Sequence, residues 1–256
     1  MNARSTNPRP TKPRGNSTGL SRSSLGPYFT DSQRPLTILA FLFPLVIVYE
    51  LGSHLYRHDV IAFRLLQRPA QWISVYGSGV PAVLLAFTLI IWHVARQDRW
   101  RVSISTLLLM LFESVVMALP VMIIAVLVIR FLPNLPRLPL MAGTGQSMGS
   151  MWVLSIGAGI YEELVFRFYG CGALRLLMER VMGMKKPWST LWIVLVSSIL
   201  FSLYHYLGNE PPTWHSFVFR TVAGAYFATL FLFRGLGISA GAHAVYDIII
   251  VTLHGM

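Results

Sequence analysis

Three apolar segments in the second half of the chain carry acidic or imidazole side chains. Glu162 and Glu163 lie in the first segment, His205 in the second, and His243 and Asp247 in the third. A charged side chain inside a bilayer costs at least about 2.5 kcal/mol on insertion scales, so such residues usually serve a function. Carboxylates and imidazoles can together activate a water for hydrolysis or bind a divalent metal that does so. The same residue types also form proton or ion paths in transporters.

The first segment, Glu162-Glu163-Leu-Val-Phe-Arg167, contains one carboxylate with a predicted partner and one without. On a helix, Glu163 and Arg167 are four residues apart and face each other, which lowers the cost of burying both. Glu162 points about 100° away from Glu163 and has Phe166 at its own i+4 position. A carboxylate without a local partner is available as a general base. A structural Glu–Arg pair at a helix end, with Glu162 reaching headgroup water, explains the segment equally well.

The other two segments each present an imidazole. His205 ends the sequence Phe201-Ser-Leu-Tyr-His205, and a single histidine on a helix is usually a packing residue. His243 and Asp247 lie four residues apart, so Asp247 can orient the imidazole or pair with it. The small residues within 237–242 let another helix approach closely, which would bring His243 near that helix. A buried hydrogen-bonded pair that fixes helix register is the simpler alternative.

The composition indicates a membrane protein. Hydrophobic residues make up 54% of the 256 residues and charged residues only 12%, against about 25% charged residues in a soluble domain. The chain therefore cannot cover a water-facing surface of its own size with polar groups. This excludes an ordinary cytosolic enzyme, a disordered protein and a nucleic-acid-binding domain, and no nucleic acid is expected as a partner. The single cysteine, Cys171, excludes an internal disulfide and a Cys-built metal site.

The predicted fold class is all-α, a multi-pass transmembrane helical bundle with about seven spans. A spanning helix needs about 20 mostly apolar residues, and such segments recur from residue 36 onward. The predicted spans lie near residues 36–52, 78–95, 104–130, 149–168, 189–208, 214–233 and 237–254. Residues 61–76 mix arginines with large apolar side chains, so we expect them at the membrane interface rather than across it.

Two domains are predicted, and the basic residues suggest their orientation. Residues 1–35 hold six basic residues, six serines and five prolines without an apolar run, which predicts a disordered basic tail that contacts anionic lipid. Residues 36–256 form the transmembrane domain. With a cytoplasmic N-terminus, fifteen basic residues lie inside and five outside, as expected for a protein of the cell membrane. The inside set is Arg4, Arg9, Lys12, Arg14, Arg22, Arg34, Arg96, Arg99, Arg101, Arg167, Arg175, Arg180, Lys185, Lys186 and Arg234. The outside set is Arg57, Arg64, Arg68, Arg130 and Arg137, and Arg220 lies within a span.

The order of the three motifs resembles that of a known family. The series E-E-x-x-x-R, F-x-x-x-H and H-x-x-x-N/D, each in a separate late membrane helix, is similar to the CPBP family. This family comprises the CAAX prenyl proteases and the bacteriocin-processing (Abi) proteins, which are glutamate-dependent intramembrane endopeptidases. The resemblance covers about residues 149–254, the predicted CPBP-like core. Three motifs in the right order are far more specific than one.

The resemblance implies an intramembrane protease, a hydrolase that cuts peptide bonds of membrane-anchored peptides or proteins. It implies that Glu162 is the general base and activates a water held jointly with His205. It further implies that His243 and Asp247 stabilise the oxyanion, where one hydrogen-bond donor is worth about 3 kcal/mol. The implied partners are membrane lipid and a membrane-anchored substrate.

The last motif departs from the commoner family pattern, because Asp247 stands where Asn is often found. An ionised carboxylate cannot donate a hydrogen bond to an oxyanion, so we expect Asp247 to act through His243. No cofactor is required on this mechanism. A divalent metal such as zinc is the alternative, with Glu162, His205 and His243 as its ligands, although the zincin pattern H-E-x-x-H is absent.

The remaining ionisable residues have supporting or undetermined roles. By the resemblance, Glu163 and Arg167 would hold the helix and tune Glu162. Glu113, in the third predicted span, either lines the site or makes an interhelical hydrogen bond.

The predicted spans leave the site residues at different depths. They place Glu162 and His243 in the cytoplasmic half of the membrane, and His205 near the outer end of its helix. Because these side chains must meet, we expect either a long or tilted fourth helix that runs to about Met178, or a water-filled cavity that joins the two depths.

Two further classes of function fit the same residues. A transporter could use them as an intramembrane proton relay, but paired helix breaks in two halves of the chain, typical of transporters, are not found in the sequence. A catalytically silent CPBP-like scaffold or immunity protein is the other alternative, because family likeness does not guarantee activity.

Overall fold

The computed structural model describes residues 25–57, 60–72, 79–131, 147–207 and 211–255. Across these ranges the elements are helical and no strand occurs, as predicted. The helices are α1 (Leu25–Asp31), α2 (Pro35–Tyr56), α3 (Ile61–Trp72), α4 (Val80–Arg96), α5 (Ile104–Phe131), α6 (Met148–Gly157), α7 (Cys171–Arg175), α8 (Trp188–Tyr204), α9 (Trp214–Arg234) and α10 (Leu236–Gly255). Two π-helical segments, Ala158–Gly170 and Leu176–Val181, flank α7, and a 3₁₀ turn, His205–Leu207, follows α8.

The predicted spans all fall on helices. Five helical stretches of the described chain are long and apolar enough to cross a membrane: α2, α5, α8 with its 3₁₀ turn, α9 and α10. The second predicted span falls on α4, a shorter apolar helix of 17 residues. The fourth falls on α6 and the first π-helical segment, Ala158–Gly170. The multi-pass helical bundle is therefore confirmed.

The fourth helix is long, as the depth of the site residues required. Helical structure runs without a break from α6 through both π-helical segments, over residues 148–181. In the π-helical turns the hydrogen bonds reach one residue further than in an α-helix, as when the backbone N–H of Cys171 bonds to the carbonyl of Phe166. Such wide turns are rare and often occur at functional sites. The segment Ala158–Gly170 carries both glutamates of the first motif.

The predicted tail is too long at its C-terminal end. Residues 1–24 lie outside the described residues, but α1 begins at Leu25 and packs against the bundle, so the prediction is wrong for residues 25–35. Tyr28 is buried and Ser32 is fully buried. The reason is a long-range contact that composition does not reveal: Tyr28 and Ser32 hydrogen-bond to Glu113 and Arg234, respectively.

Helix α3 matches the predicted interfacial segment over residues 61–72, while residues 73–76 lie outside the described chain. Its 12 residues are too few to cross a bilayer. Ala62 and Phe63 are fully buried, and the Phe63 ring packs against the rings of Tyr49 in α2 and Tyr161 in the π-helical segment. Helix α3 thus lies against the segment that carries Glu162.

Small residues let the helices around α10 approach closely. A Cβ atom added at Gly159 would lie 2.6 Å from the Cβ of Ala244 and 2.8 Å from the backbone oxygen of Ala240. An added Cβ at Gly241 would lie 2.3 Å from the Oγ of Ser114 in α5. The close approach expected at residues 237–242 is therefore present, with α5 on one face of α10 and the π-helical segment on the other.

Candidate active site

Three of the predicted catalytic side chains meet around one oxygen atom. Glu162 Oε2 lies 3.7 Å from Nε2 of His205 and 3.9 Å from Nε2 of His243. The fourth, Asp247, has its Oδ2 atom 3.6 Å from Nε2 of His243. Glu162 and His243 are buried, whereas 19% of the His205 side chain is exposed. His205 therefore lies on the more accessible side of the cluster.

The supporting pair has the geometry that its spacing predicted. Nε of Arg167 lies 3.4 Å from Oε2 of Glu163, and both side chains are fully buried. Glu163 also accepts a 2.5 Å hydrogen bond from the Ser239 hydroxyl, and its Oε1 lies 3.1 Å from Nδ1 of His243. Glu163 thus links the π-helical segment to α10 and is not available for a further role.

Backbone contacts fix which nitrogen of His205 faces the glutamate. Its Nδ1 atom lies 2.8 Å from the carbonyl oxygen of Phe201. A carbonyl oxygen only accepts hydrogen bonds, so Nδ1 must carry the proton and neutral His205 presents an acceptor at Nε2. That acceptor faces Glu162. Two acceptors cannot bond directly, but a donor such as water can bond to both.

Aromatic rings enclose both imidazoles. The Phe227 ring of α9 stacks on His243 with centroids 4.6 Å apart and planes 19° apart. Phe201 contacts His205 edge-on at 4.8 Å and His243 at 6.0 Å, and the Arg167 guanidinium lies 4.6 Å from the same ring. The phenylalanine of the second motif therefore touches residues of all three motifs, which gives a physical reason for its place there.

Sequence reasoning missed two side chains that contact the site glutamates. The Tyr204 hydroxyl donates to Oε1 of Glu162 at 3.3 Å, and Ser239 donates to Glu163. Both positions carried a signal, because Tyr204 directly precedes His205 and Ser239 lies one helical turn before His243.

The sequence identifies Arg220 of α9 only as a basic residue within a predicted span. In the structure it interacts electrostatically with Glu162, His205 and Asp247. It lies two helical turns before Phe227, which stacks on His243, so both residues occupy the same side of α9. Its position inside an apolar segment was the signal that identifies it as part of the site's surroundings.

Glu113 does not line the site. It forms an ion pair with Arg234, with Nε and Nη2 of the arginine 2.5 and 2.7 Å from its two carboxylate oxygens. Tyr28 donates to the same carboxylate. Of the two roles left open by the sequence, the structure supports an interhelical contact.

No group of three or more His, Cys, Asp or Glu side chains in the described residues is arranged to hold a metal ion. The divalent-metal alternative, with Glu162, His205 and His243 as ligands, therefore stays a prediction from the sequence.

One comparison with known proteins gives a match. No curated protein and no solved structure matches the chain. The model of the Rce1-like family, described as type II CAAX prenyl endopeptidase Rce1-like, matches residues 144–249. This stretch contains all three motifs and every residue of the candidate site. This match confirms the resemblance of the second half of the chain to the CAAX proteases of the CPBP family.

Proposed function

We propose that the protein is an intramembrane endopeptidase that hydrolyses peptide bonds of membrane-associated substrates, with Glu162 as its general base. The observation that carries the proposal is that His205 and His243, from two different helical elements, approach the same carboxylate oxygen of Glu162, which lies on a third. The family match supports a protease. The apolar helices around the site support a substrate that reaches it from the membrane.

The first step is activation of water. A water between Oε2 of Glu162 and Nε2 of His205 donates one hydrogen to each acceptor, and the 3.7 Å separation of these atoms allows both contacts. Glu162 takes the proton as the water oxygen attacks the carbonyl carbon of the scissile bond. General-base catalysis of this kind contributes about 10²- to 10⁴-fold in rate.

The second step is stabilisation of the oxyanion by His243. Its Nδ1 atom faces Glu163, so Nδ1 carries a proton, and in the imidazolium form Nε2 donates to the oxyanion. The carboxylates of Glu162, Glu163 and Asp247 lie 3.9, 3.1 and 3.6 Å from the ring nitrogens and balance that positive charge. Asp247 thus acts through His243, and an ionised Asp can replace the commoner Asn.

The last step breaks the peptide bond. As the tetrahedral intermediate collapses, the carbon–nitrogen bond breaks and Glu162 returns its proton to the departing amine. Arg167 and Ser239 hold Glu163 in place. Since Glu163 contacts the proton-bearing Nδ1 of His243, this pair orients the oxyanion donor rather than touching the substrate.

The test is proteolysis by the purified protein in liposomes that contain a library of membrane-anchored peptides. We expect Glu162→Gln, which keeps the shape of the side chain, to lower cleavage by about 10²- to 10⁴-fold. The matched control is Glu179→Gln, because Glu179 lies further along the same helical stretch, where it bonds to Ser189. This variant should cleave like the wild type.

A parallel series with chelator tests metal use. Cleavage that is indifferent to chelator supports the glutamate–histidine mechanism, and loss of cleavage with chelator would assign the same side chains to a metal site. Equal cleavage by wild type and Glu162→Gln would overturn the proposal that Glu162 is the general base. A folded wild type that cuts no peptide would favour the proton relay of a transporter or a silent scaffold.

A further inference from the structure

A second polar site lies at the end of the bundle where α1 meets α2. A cavity of about 300 Å³ opens between this corner and the loop that joins α4 to α5. Three arginines, Arg34, Arg99 and Arg101, and one acid, Asp31, line it. Helix α9 runs from the His205 side of the bundle to this end, so the cavity is distinct from the candidate active site.

The positive charge of this cavity is only partly balanced. Asp31 pairs with Arg34 at 3.0 Å. Arg99 and Arg101 are exposed, and no carboxylate of the described residues forms an ion pair with either. Thr37 and Ser103 add hydroxyl groups to the lining. The cavity therefore offers two unmatched guanidinium groups and hydrogen-bond donors, which is the chemistry that recognises phosphate.

The wall that carries Arg34 is held in place by the preceding residues. The Gln33 side chain donates to the carbonyl oxygen of Phe233 at 2.9 Å. Ser32 accepts a 3.1 Å hydrogen bond from Arg234. These contacts anchor α1 on the end of α9, so the cavity exists before any ligand binds.

The location of the cavity places it at the level of lipid headgroups. The loop 97–103 connects two apolar helices, α4 and α5, and must therefore lie at a membrane surface. Trp100 in this loop is 65% exposed and packs edge-on against His93 at 4.4 Å. Tryptophan is enriched at the membrane–water interface. The cavity thus opens where lipid phosphates are concentrated.

We propose that this cavity binds the phosphate of an anionic phospholipid, with Arg99 and Arg101 as its principal ligands. Clusters of basic residues next to membrane helices bind anionic headgroups, each contributing to affinity when it lies near the surface. Each guanidinium group can donate two parallel N–H hydrogen bonds to two oxygens of one phosphate. The bound lipid would join α1 and α2 to the loop between α4 and α5.

The test measures thermal stabilisation of the full chain in detergent by phosphatidylglycerol and by phosphatidylcholine with the same acyl chains. We expect the wild type to be stabilised more by phosphatidylglycerol. Arg99→Gln with Arg101→Gln should bind phosphatidylglycerol about 30-fold more weakly, from two surface arginines. The lysine double variant keeps both charges but loses the paired donor geometry of the guanidinium, so it should lose less affinity than the glutamine variant and show that the fold tolerates change here.

The matched control is Arg175→Gln with Arg180→Gln, two exposed arginines outside the cavity. This variant should keep the phosphatidylglycerol response. Equal stabilisation of the wild type by the two lipids would overturn the proposal. So would an equal loss of phosphatidylglycerol stabilisation in the Arg99→Gln/Arg101→Gln variant and in the Arg175→Gln/Arg180→Gln control. Stabilisation by inorganic phosphate or glycerol 3-phosphate as strong as that by phosphatidylglycerol would also overturn it, because the site would then bind a soluble anion.

Discussion

Two clusters of charged side chains join helices of this bundle, one partly buried and one fully buried, and they are built differently. In the α1–α5–α9 cluster, Arg234 makes two hydrogen bonds to Glu113, of 2.5 and 2.7 Å, and its guanidinium lies over the rings of Tyr28 and Phe29. In the candidate active site, Arg167 lies 3.4 Å from Glu163, and none of its guanidinium nitrogens has a hydrogen-bond partner among the described residues.

The difference separates a structural cluster from the cluster that we propose to be catalytic. Short charge-assisted hydrogen bonds compensate the cost of burying Glu113 and Arg234. In the candidate active site, Oε2 of Glu162 lies 3.7 and 3.9 Å from the nearest nitrogens of His205 and His243, which is too far for a direct hydrogen bond. Such spacing stabilises the fold less, but it leaves hydrogen-bonding capacity for water and substrate.

Removing one arginine from each cluster tests most directly whether the two clusters differ in how much they stabilise the fold. Arg234→Met leaves the partly buried Glu113 without its cation, and we expect it to lower the free energy of unfolding by about 3 kcal/mol, the lower end of the range for a fully buried charge. Arg167→Met should cost less, because Glu163 keeps its contacts with Ser239 and His243. Denaturation by SDS titration in mixed micelles measures both values. Equal losses would contradict the comparison.

The control for Arg234→Met removes its partner as well. The double variant Glu113→Leu with Arg234→Met has no buried charge left, and replacing a buried ion pair by apolar residues is often neutral. We therefore expect the double variant to regain most of the lost stability. A double variant as unstable as Arg234→Met would show that the cation–ring contacts with α1, rather than the ion pair, stabilise this cluster.

The active site can be disturbed without touching a charged residue. Gly159→Val places side-chain atoms where Ala244 of α10 already lies, and such overpacking typically costs about 1–3 kcal/mol. Because the same contact sets the distance between Glu162 and His243, we expect a fall in kcat of about 100-fold, as for a displacement of about 1 Å. Gly172→Val is the control, since nothing lies within 4 Å of an added Cβ there. If both valine variants cleave like the wild type, the close approach at Gly159 does not position the site.

Much of the fold was predictable because hydropathy alone determines which segments lie in a membrane. The predicted third span, 104–130, became α5 at Ile104–Phe131, and the seventh, 237–254, became α10 at Leu236–Gly255. Docking of α1 was not predictable. It depends on Glu113 and Arg234, which are more than 80 residues from Tyr28 along the chain, and composition holds no signal for such contacts.

The contacts of the site that were predictable are those between residues four positions apart on one helix. The four-residue spacings of Glu163 with Arg167 and His243 with Asp247 became contacts of 3.4 and 3.6 Å. Contacts between helices required the structure, because only three-dimensional packing brings Phe227 of α9 onto His243. The π-helical turns were also unforeseen, since hydrophobic periodicity does not distinguish them from an α-helix over one segment.

Tyr204 tests whether the hydrogen bonds that hold Glu162 in the candidate site are weak, and its expected effect is the smallest. Its hydroxyl donates to Oε1 of Glu162 at 3.3 Å, a long hydrogen bond worth about 0.5–1.5 kcal/mol. Tyr204→Phe should therefore lower kcat only about two- to tenfold, because the hydroxyl orients the carboxylate and leaves Oε2 unchanged. Tyr226→Phe is the matched control, since it removes a 2.7 Å bond to the carbonyl of Met117 and should leave kcat unchanged. A loss above 100-fold in Tyr204→Phe would instead make Tyr204 a proton donor in the reaction, and the cluster around Glu162 would then be larger than three side chains.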